Sequence, residues 1–343
     1  YIVTFVTISV PAALLGVMLF RLLGDLTRKI GWRVAIVLIY GLGTSAFPYS
    51  GSFFGHQLVA FLLFTALYLS LRIGQGRLAP PWLLGVGALL GYAIITEYPT
   101  ILIAGVIFVY ACWVVPDRRW IAGLVAGGLP WGLLLMAYNM AVYHTPVAIG
   151  YDYSELYTEL HQNGFISLSY PYPEALWGIT FSSYRGLFFL SPVLLLAVPG
   201  FVIWWQKRAL PGVWAVSLWA VVSFLLFNGS SIMWHGGFSI GPRYLLPMLP
   251  FLMLALGSFA EWWGGALWAR VLTAALSAWS ILAVWTETIG GQSFPDWRSN
   301  PLFTYSFPYL LEGNIARNLG EVLGLSGWVS LLPLAIFLVG SLL

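Results

Sequence analysis

The chain has 343 residues, of which 60% are apolar and only 8% carry a charge, against about 25% charged residues in soluble domains. So few charges cannot cover a water-exposed surface of this size, which excludes an ordinary soluble protein and indicates an integral membrane protein. The net charge of +3 is small, and no basic run is longer than Arg28-Lys29 or Arg118-Arg119, which excludes nucleic acid as a partner. The single cysteine, Cys112, leaves no basis for a disulfide framework or a cysteine metal site.

Apolar runs separated by charges or by proline and glycine predict an all-α bundle of about eleven membrane spans, which form a single transmembrane domain over residues 1–343. The predicted spans are 1–20, 34–48, 53–71, 82–96, 100–115, 120–140, 186–205, 212–229, 244–262, 271–289 and 326–343. Several are shorter than the about 20 residues that cross a hydrocarbon core, which predicts broken or re-entrant helices. Because the chain is apolar from Tyr1 onward, we expect a further span and an external loop to precede it in the complete protein.

The loops between these spans divide the charges unequally. Eleven of the fifteen Lys and Arg residues fall on one side, which is therefore predicted to be cytoplasmic. The other side holds four arginines and all four histidines, namely Arg185, Arg243, Arg298, Arg317, His56, His144, His161 and His235. It also has three long external segments, 141–185, 230–243 and 290–325, and loops of this length are usually functional when they are ordered. We therefore expect any chemistry at the non-cytoplasmic end.

Three acids in the first external segment share one face of a helix. Asp152, Glu155 and Glu159 stand at positions i, i+3 and i+7. One interpretation is the solvated face of an interfacial helix. The other is a site for a sugar or a divalent metal ion, in which carboxylates accept hydroxyl protons or coordinate a hard cation, and which His161 joins if the chain bends back.

The second external segment ends in an arginine at the membrane boundary. Gly236, Gly237 and Gly241 permit close backbone approach, and Pro242 interrupts the helix just before Arg243. A guanidinium in this place can fork onto a phosphate or form a structural ion pair. The simpler alternative is a snorkelling anchor, but the positive-inside rule disfavours arginine on the outer side.

Two further polar residues stand at the outer ends of predicted spans. Glu97, in ITEYPT, lies between two apolar runs, where a carboxylate needs a partner or a function. Its structural interpretation is an ion pair with Arg185 or Arg243. His56, in SFFGHQ, opens another span, either as a hydrogen-bonded cap or as a base or ligand.

The order and spacing of these segments resemble the GT-C superfamily of membrane glycosyltransferases, most closely bacterial relatives of the protein O-mannosyltransferases and lipid A aminoarabinose transferases. The resemblance spans nearly the whole chain. It is carried by GLGTSAFPYSGSFFGHQLVAFLLFTALYLSLR at 41–72, GYAIITEYPT at 91–100, PEALWGITFSSYRGLFFLSPVLLLAVPG at 173–200 and MWHGGFSIGPRYLLPMLPFL at 233–252.

The resemblance implies inverting sugar transfer from a polyprenyl-phosphate-linked donor on the external face of a bacterial cytoplasmic (inner) membrane. Arg243 and Arg185 are then the candidates for binding the donor phosphate. His235 and Tyr151, from the external segments, are further candidate substrate contacts. No cofactor is implied with certainty, although a divalent metal is compatible with the external acids.

The resemblance also implies a carboxylate base. Families of this type carry their principal catalytic Asp in the first external loop, which we expect to lie before Tyr1. Many relatives have an acid where His56 stands and a basic residue where Glu97 stands. Within this sequence, the candidate catalytic residues are Glu97, His56 and Asp152.

Two other functions fit the same pattern. One is a non-catalytic GT-C-like membrane subunit of a larger complex, which would have membrane-protein partners. The other is a transporter of lipid-linked sugars. Membrane lipids surround the protein in all three interpretations.

Overall fold

The computed structural model describes residues 1–148, 168–291 and 299–342. The regular secondary structure of this part of the chain is all helical, and no β-strand occurs in it. Its extended pairing is limited to two isolated bridges, Leu168 with Ser231 and Gly290 with Ile315. The predicted all-α class is therefore confirmed for the described residues.

The apolar helices follow one another closely in sequence. In chain order they are α1 Ile2–Leu23, α2 Ile30–Leu42, α3 Gly55–Gly74, α4 Pro80–Thr96, α5 Tyr98–Val114, α6 Arg118–Tyr143, α7 Pro192–Lys207, α8 Pro211–Gly229, α9 Arg243–Trp263, α10 Leu267–Ile289 and α11 Gly327–Gly340. Each of these helices overlaps one of the predicted spans. The predicted positions of the helices are therefore close to those in the structure.

Six of these helices, α1, α3, α6, α8, α9 and α10, are long and apolar enough to cross a membrane. The other five have 10–17 residues, which is shorter than the about 20 that an unbroken span needs. In the described residues, length and composition thus support six spans, fewer than the about eleven predicted. The chain is a helical membrane protein.

Burial separates central helices from peripheral ones. In α9, 89% of the most apolar stretch is buried inside the protein, and in α3 the share is 78%. The corresponding shares are 17% in α1 and 11% in α6, although both helices are strongly apolar. Apolar side chains that face outward suit hydrocarbon and not water, so α1 and α6 present their surfaces to lipid.

Glycines allow some of these helices to approach closely. A Cβ atom on Gly87 of α4 would collide with the carbonyl oxygen of Leu124 in α6, and one on Gly127 would collide with that of Leu84. Gly200 of α7 meets the backbone of Ala255 in α9 in the same way. Small residues at helix contacts are typical of membrane proteins, where close packing replaces the hydrophobic drive.

The charged residues gather at two opposite ends of the bundle. At the end that we call the basic end, Asp25 pairs with Arg72 and Arg77, and Lys29 donates to the carbonyl of Glu261. At the end that we call the polar end, contacts join His56 to Glu97, Arg185 to His235 and Arg243 to Tyr244. Residues that the sequence assigns to the same side thus contact one another.

Two of the three predicted external segments are partly helical. Helix α6 runs to Tyr143, and a short helix, Pro173–Thr180, follows the undescribed residues 149–167. Residues 230–242 form consecutive turns without a helix. Between 299 and 325 the chain forms three short helices, Leu302–Ser306, Phe307–Leu311 and Leu319–Val322.

Candidate functional site

A histidine and a glutamate form a close pair at the polar end. Nδ1 of His56 lies 2.5 Å from Oε1 of Glu97, and the two side chains are 9% and 19% exposed. The ring N–H is not aligned with the carboxylate, so the contact is a short ion-pair distance without a linear hydrogen bond. Because Nδ1 faces the carboxylate, Nε2 is the nitrogen available to a substrate.

The ITEYPT sequence places this carboxylate. Helix α4 stops at Glu97, whose backbone is extended with φ −149° and ψ 111°, because the Tyr98-Pro99 step that follows disfavours a continuous helix. The Thr100 hydroxyl then bridges the break by donating to the carbonyls of Ala93 and Glu97. Glu97 thereby leaves the helix axis between two apolar helices.

A glycine allows the pair to form. Helix α3 begins at Gly55, directly before His56. A Cβ atom at Gly55 would lie 2.9 Å from Oε1 of Glu97 and 2.9 Å from Cγ2 of Thr96. The absence of a side chain at this position lets the end of α4 approach the start of α3.

Three aromatic rings surround His56. Phe54 stacks on it with a centroid distance of 6.2 Å, and Tyr49 and Tyr244 meet it edge-on at 6.3 and 5.5 Å. Tyr49 and Phe54 come from the stretch just before His56, and Tyr244 comes from the start of α9. The imidazole is therefore held in one orientation and largely shielded from water.

Arg243 lies against two of the same rings. Its Cζ atom is 5.0 Å from the ring centre of Phe54 and 5.1 Å from that of Tyr244, and its Nη2 donates to the Tyr244 hydroxyl over 3.3 Å. Its Nε atom is buried and has no hydrogen-bond partner among the described residues. A buried donor atom without a partner is rare in proteins unless a ligand or water occupies the position.

The turns before Arg243 depend on glycine. Gly236, Gly237 and Gly241 have φ of 71°, 62° and 59°, values that L side chains rarely adopt. A Cβ atom at Gly236 would also lie 3.4 Å from Cγ and Nε of Arg243. Glycine at 236 therefore serves both the turn and the space beside the guanidinium.

A buried arginine holds this turn in place. Arg185 has no exposed surface. Its Nε donates to the carbonyl of His235 over 3.1 Å, and its Nη2 donates to that of Gly237 over 2.8 Å. Its guanidinium also lies 4.1 Å above the Tyr184 ring. These bonds identify Arg185 as a residue that positions the glycine turn.

His235 takes part in the same turn. Its Nδ1 accepts a hydrogen bond from the backbone N–H of Gly237 over 3.1 Å, while its carbonyl accepts from Arg185 and from the Ser239 hydroxyl. Its ring meets Trp234 edge-on. The structure therefore ties both the backbone and the imidazole of His235 to the fold of the turn.

Tyr49 connects the two parts of the site. Its hydroxyl accepts a hydrogen bond from the backbone N–H of Ile240 over 3.0 Å, and its ring contacts His56. Burial raises the pKa of Tyr49 to about 12, although the positive charge of Arg243 opposes the rise. Tyr49 is therefore a neutral hydroxyl at physiological pH, and it also bonds to the Ser239 side chain of the turn.

A second buried carboxylate lies near the site. Glu287, in the part of α10 at the polar end, is 3% exposed, and neither of its carboxylate oxygens has a hydrogen-bond partner among the described residues. The positive charge of Arg185 acts on the Glu287 carboxylate, while the Arg185 Nε and Nη2 atoms donate to backbone carbonyls. The predicted topology places Glu287 on the non-cytoplasmic side and gives it no role. Its position inside an apolar helix, where an acid is costly, was the signal that could have singled it out.

The structure brings together His56, Glu97 and Arg243, with Arg185 and His235 on the adjoining turn. Glu97 pairs with His56 and not with Arg185 or Arg243, the partners that its structural interpretation predicted. The contributing aromatics Tyr49, Phe54 and Tyr244 were not singled out from the sequence. The phosphate-binding roles of Arg185 and His235 stay predictions.

The remaining candidates lie outside the described residues. These are Asp152 and Tyr151, together with Glu155, Glu159 and His161. Within the described part of the chain, no three His, Cys, Asp or Glu side chains come together in a way that could hold a metal ion. The divalent metal considered for the acids of 141–185 stays a prediction.

The GT-C resemblance rests on the quoted sequence segments alone. The chain matches no protein-family model, no curated protein and no solved structure.

Proposed function

We propose that this chain is the membrane part of a GT-C-type glycosyltransferase with about eleven membrane crossings. It transfers a sugar from a polyprenyl-phosphate-linked donor to an acceptor on the non-cytoplasmic face of a bacterial cytoplasmic membrane. The observation that carries the proposal is Arg243, a half-buried cation with an unpartnered Nε, which shares Phe54 and Tyr244 with the His56–Glu97 pair.

Arg243 supplies the charge that a phosphate donor needs. Its Nε–H and one Nη group form the fork that matches two phosphate oxygens. The Phe54 and Tyr244 rings exclude water from one side, which strengthens the interaction of the guanidinium with an anion. Neutralising the leaving phosphate as its bond to the sugar breaks is the electrostatic part of catalysis.

His56 and Glu97 supply the proton acceptor. In the transfer step the acceptor oxygen attacks the anomeric carbon, the bond from that carbon to the phosphate oxygen breaks, and the acceptor proton moves to Nε2 of His56. Glu97, 2.5 Å from Nδ1, stabilises the imidazolium that forms. The products are the glycoside and polyprenyl phosphate, and no covalent enzyme intermediate is required.

The backbone around these residues supports a substrate cavity. Helix α4 ends at Glu97 and the glycine turn precedes Arg243, so two breaks in regular structure lie at the same end of the bundle. Broken backbone at membrane depth is tolerated where it faces protein or a polar cavity. The arrangement suits a lipid donor that enters from the membrane and an acceptor that enters from water.

The test uses the full-length protein that contains this chain, reconstituted in lipid nanodiscs and supplied with a set of polyprenyl-phosphate sugars. Release of polyprenyl phosphate is measured by mass spectrometry. We expect Arg243→Gln to slow release by about 10²- to 10³-fold and Arg243→Lys to slow it less, since lysine keeps the charge but loses the fork.

The matched control is Arg317→Gln, which removes an exposed arginine and should leave the rate unchanged. If no donor in the set is consumed, the proposal of an enzyme is wrong. Donor binding without turnover would then indicate the non-catalytic subunit instead.

A further inference from the structure

A groove opens between α2 and α10 at the basic end, far along these helices from His56 and Arg243. It encloses a cavity of about 700 Å³. Its rim carries Lys29 and Arg270, and its walls are formed largely by apolar residues of the two helices. The cavity takes no part in the proposed sugar transfer.

Two cations stand at the mouth of the groove. Lys29 donates from Nζ to the carbonyls of Ala260 and Glu261 over 2.9 and 2.7 Å. Arg270 is exposed and donates from Nε to the carbonyl of Gly264 over 2.9 Å, while its Nη groups have no hydrogen-bond partner in the described part of the chain. Both side chains are thus anchored and still have donors for an anion.

The acid at this rim, Glu261, offsets part of the charge of Lys29 and Arg28 but leaves the charge of Arg270. The Glu261 carboxylate accepts a hydrogen bond from the Thr27 hydroxyl over 2.7 Å and from the backbone N–H of Arg28 over 3.0 Å. Its Oε2 atom is thereby directed toward the α1–α2 connection. Exposed Arg28 adds a further positive charge at this end, so the local balance is positive.

The walls of the groove suit a hydrocarbon chain. Leu38 and Ile39 line it from α2, and Ala274 and Ile281 line it from α10. From Gly31 to Ile39 the helix rises about 12 Å, which is close to the depth of one membrane leaflet. The helices approach each other beyond this point, where a Cβ atom at Gly43 would lie 3.4 Å from side-chain atoms of Ser280 and Ile281.

A polar atom lies between the charged rim and the apolar end. The Ser277 hydroxyl lines the groove, is buried, and has no hydrogen-bond partner among the described residues. A helical serine commonly satisfies itself on a carbonyl of the preceding turn, so an unpartnered one indicates a missing acceptor. A Ser277 hydroxyl that rotates into the groove would reach an ester carbonyl of a lipid about two turns deeper than Arg270.

Aromatic residues place the rim at the membrane surface. Trp32 lines the groove and donates from Nε1 to the carbonyl of Gly264, which Arg270 also contacts. Trp262 and Trp268 are exposed close by, and Nζ of Lys207 lies 3.6 Å above the Trp262 ring. Tryptophan is enriched at the headgroup level, so Lys29 and Arg270 lie where lipid phosphates lie.

We infer that this groove binds one anionic phospholipid, with its phosphate between Lys29 and Arg270 and an acyl chain along Leu38 and Ile281. Basic pockets between helices at the cytoplasmic membrane surface recognise anionic headgroups in this way. The lipid fills the gap between α2 and α10 and holds the two helices in register. This inference does not depend on the glycosyltransferase proposal.

The test is native mass spectrometry of the delipidated full-length protein with phosphatidylglycerol or phosphatidylcholine of identical acyl chains. Wild-type protein should retain one phosphatidylglycerol more tightly than phosphatidylcholine. The double substitution Lys29→Gln/Arg270→Gln should weaken phosphatidylglycerol binding about 30-fold, because each of the two cations contributes about fivefold to the affinity for an anionic lipid. It should leave phosphatidylcholine binding unchanged. The matched control, Arg21→Gln/Arg118→Gln, removes two exposed arginines from the same end and should change neither.

A second variant tests the apolar walls separately. Ala274→Leu fills the groove without altering its charge and should weaken both lipids equally. If the double variant does not fold, Arg270→Gln alone should still lower the preference for phosphatidylglycerol. Equal affinity for the two lipids in wild-type protein, an unchanged preference in the charge variants, or a second copy of the chain occupying the groove would each overturn the inference.

Discussion

The two ends of the bundle differ in how completely their charged groups are paired. At the basic end, Arg72 donates to Asp25 over 2.6 Å and to Gln75 over 2.7 Å, and Arg77 approaches the same aspartate. At the polar end, the Nε of Arg243 and both carboxylate oxygens of Glu287 are buried without hydrogen-bond partners among the described residues.

This difference separates a structural role from a functional one. Ion pairs that satisfy each other stabilise the connection between helices and need nothing further. Buried polar atoms that lack partners cost free energy, and native proteins keep few of them except where a ligand, water or a catalytic step uses them. The polar end, where buried charged groups lack partners, is therefore the end at which catalysis is to be sought.

The largest effect that sharpens this comparison is expected from His56→Asn. If His56 accepts the proton, the substitution should lower the transfer rate about 10³-fold, equivalent to about 4 kcal/mol, while the thermal unfolding temperature changes little. Rates are measured as release of polyprenyl phosphate under saturating donor.

The matched control for this variant is His144→Asn. His144 is exposed and has φ of 58°, a conformation that asparagine tolerates, so the control should be silent. A His56→Asn enzyme that keeps more than a tenth of the wild-type rate would remove His56 from the proposed mechanism.

Arg185→Gln should produce the next largest effect, on stability. It leaves the carbonyls of His235 and Gly237 without their buried donor and should lower the free energy of unfolding by about 3 kcal/mol. Circular dichroism during thermal unfolding in detergent measures the change, with exposed Arg317→Gln for comparison. An unfolding temperature equal to that of the control would contradict the positioning role.

The helices were predictable from the sequence because apolar runs and charge breaks mark them directly. The number of membrane spans was harder to predict than the positions of the helices. α4 and α5 are separated only by Glu97, and each is shorter than a full crossing. Composition alone cannot distinguish a short crossing helix from one that ends within the membrane.

The site was predictable only in part, because its parts come from distant segments. His56, Glu97 and Arg243 stood out as polar residues beside apolar runs. That Glu97 would meet His56 depends on Gly55, whose missing side chain matters only once α3 and α4 are packed. Arg185 gave the same signal as Arg243, yet its burial against the glycine turn gives it a different role.

A smaller loss is expected at the basic end from Asp25→Asn. Arg72 keeps its bond to Gln75 and its contact with the Tyr68 ring, so we expect a loss of about 1–2 kcal/mol. The loss should shrink at high salt, because Asp25 is partly exposed and its attraction to the arginines is screened. Chemical unfolding at low and high salt measures it, with exposed Glu312→Gln as the control. A loss larger than that of Arg185→Gln would reverse the comparison between the two ends.

The smallest effect on stability is expected from Glu287→Gln. Glutamine keeps the shape of the side chain and removes a carboxylate that has no hydrogen bond in the described structure, so stability should change by less than about 1 kcal/mol or rise. Thermal unfolding of wild type and variant side by side measures the difference. A loss as large as that of Arg185→Gln would mean that Glu287 and Arg185 stabilise each other as an ion pair. If stability is unchanged, the buried carboxylate is not kept for the fold, and any loss of transfer in the same variant assigns it to the chemistry of the polar end.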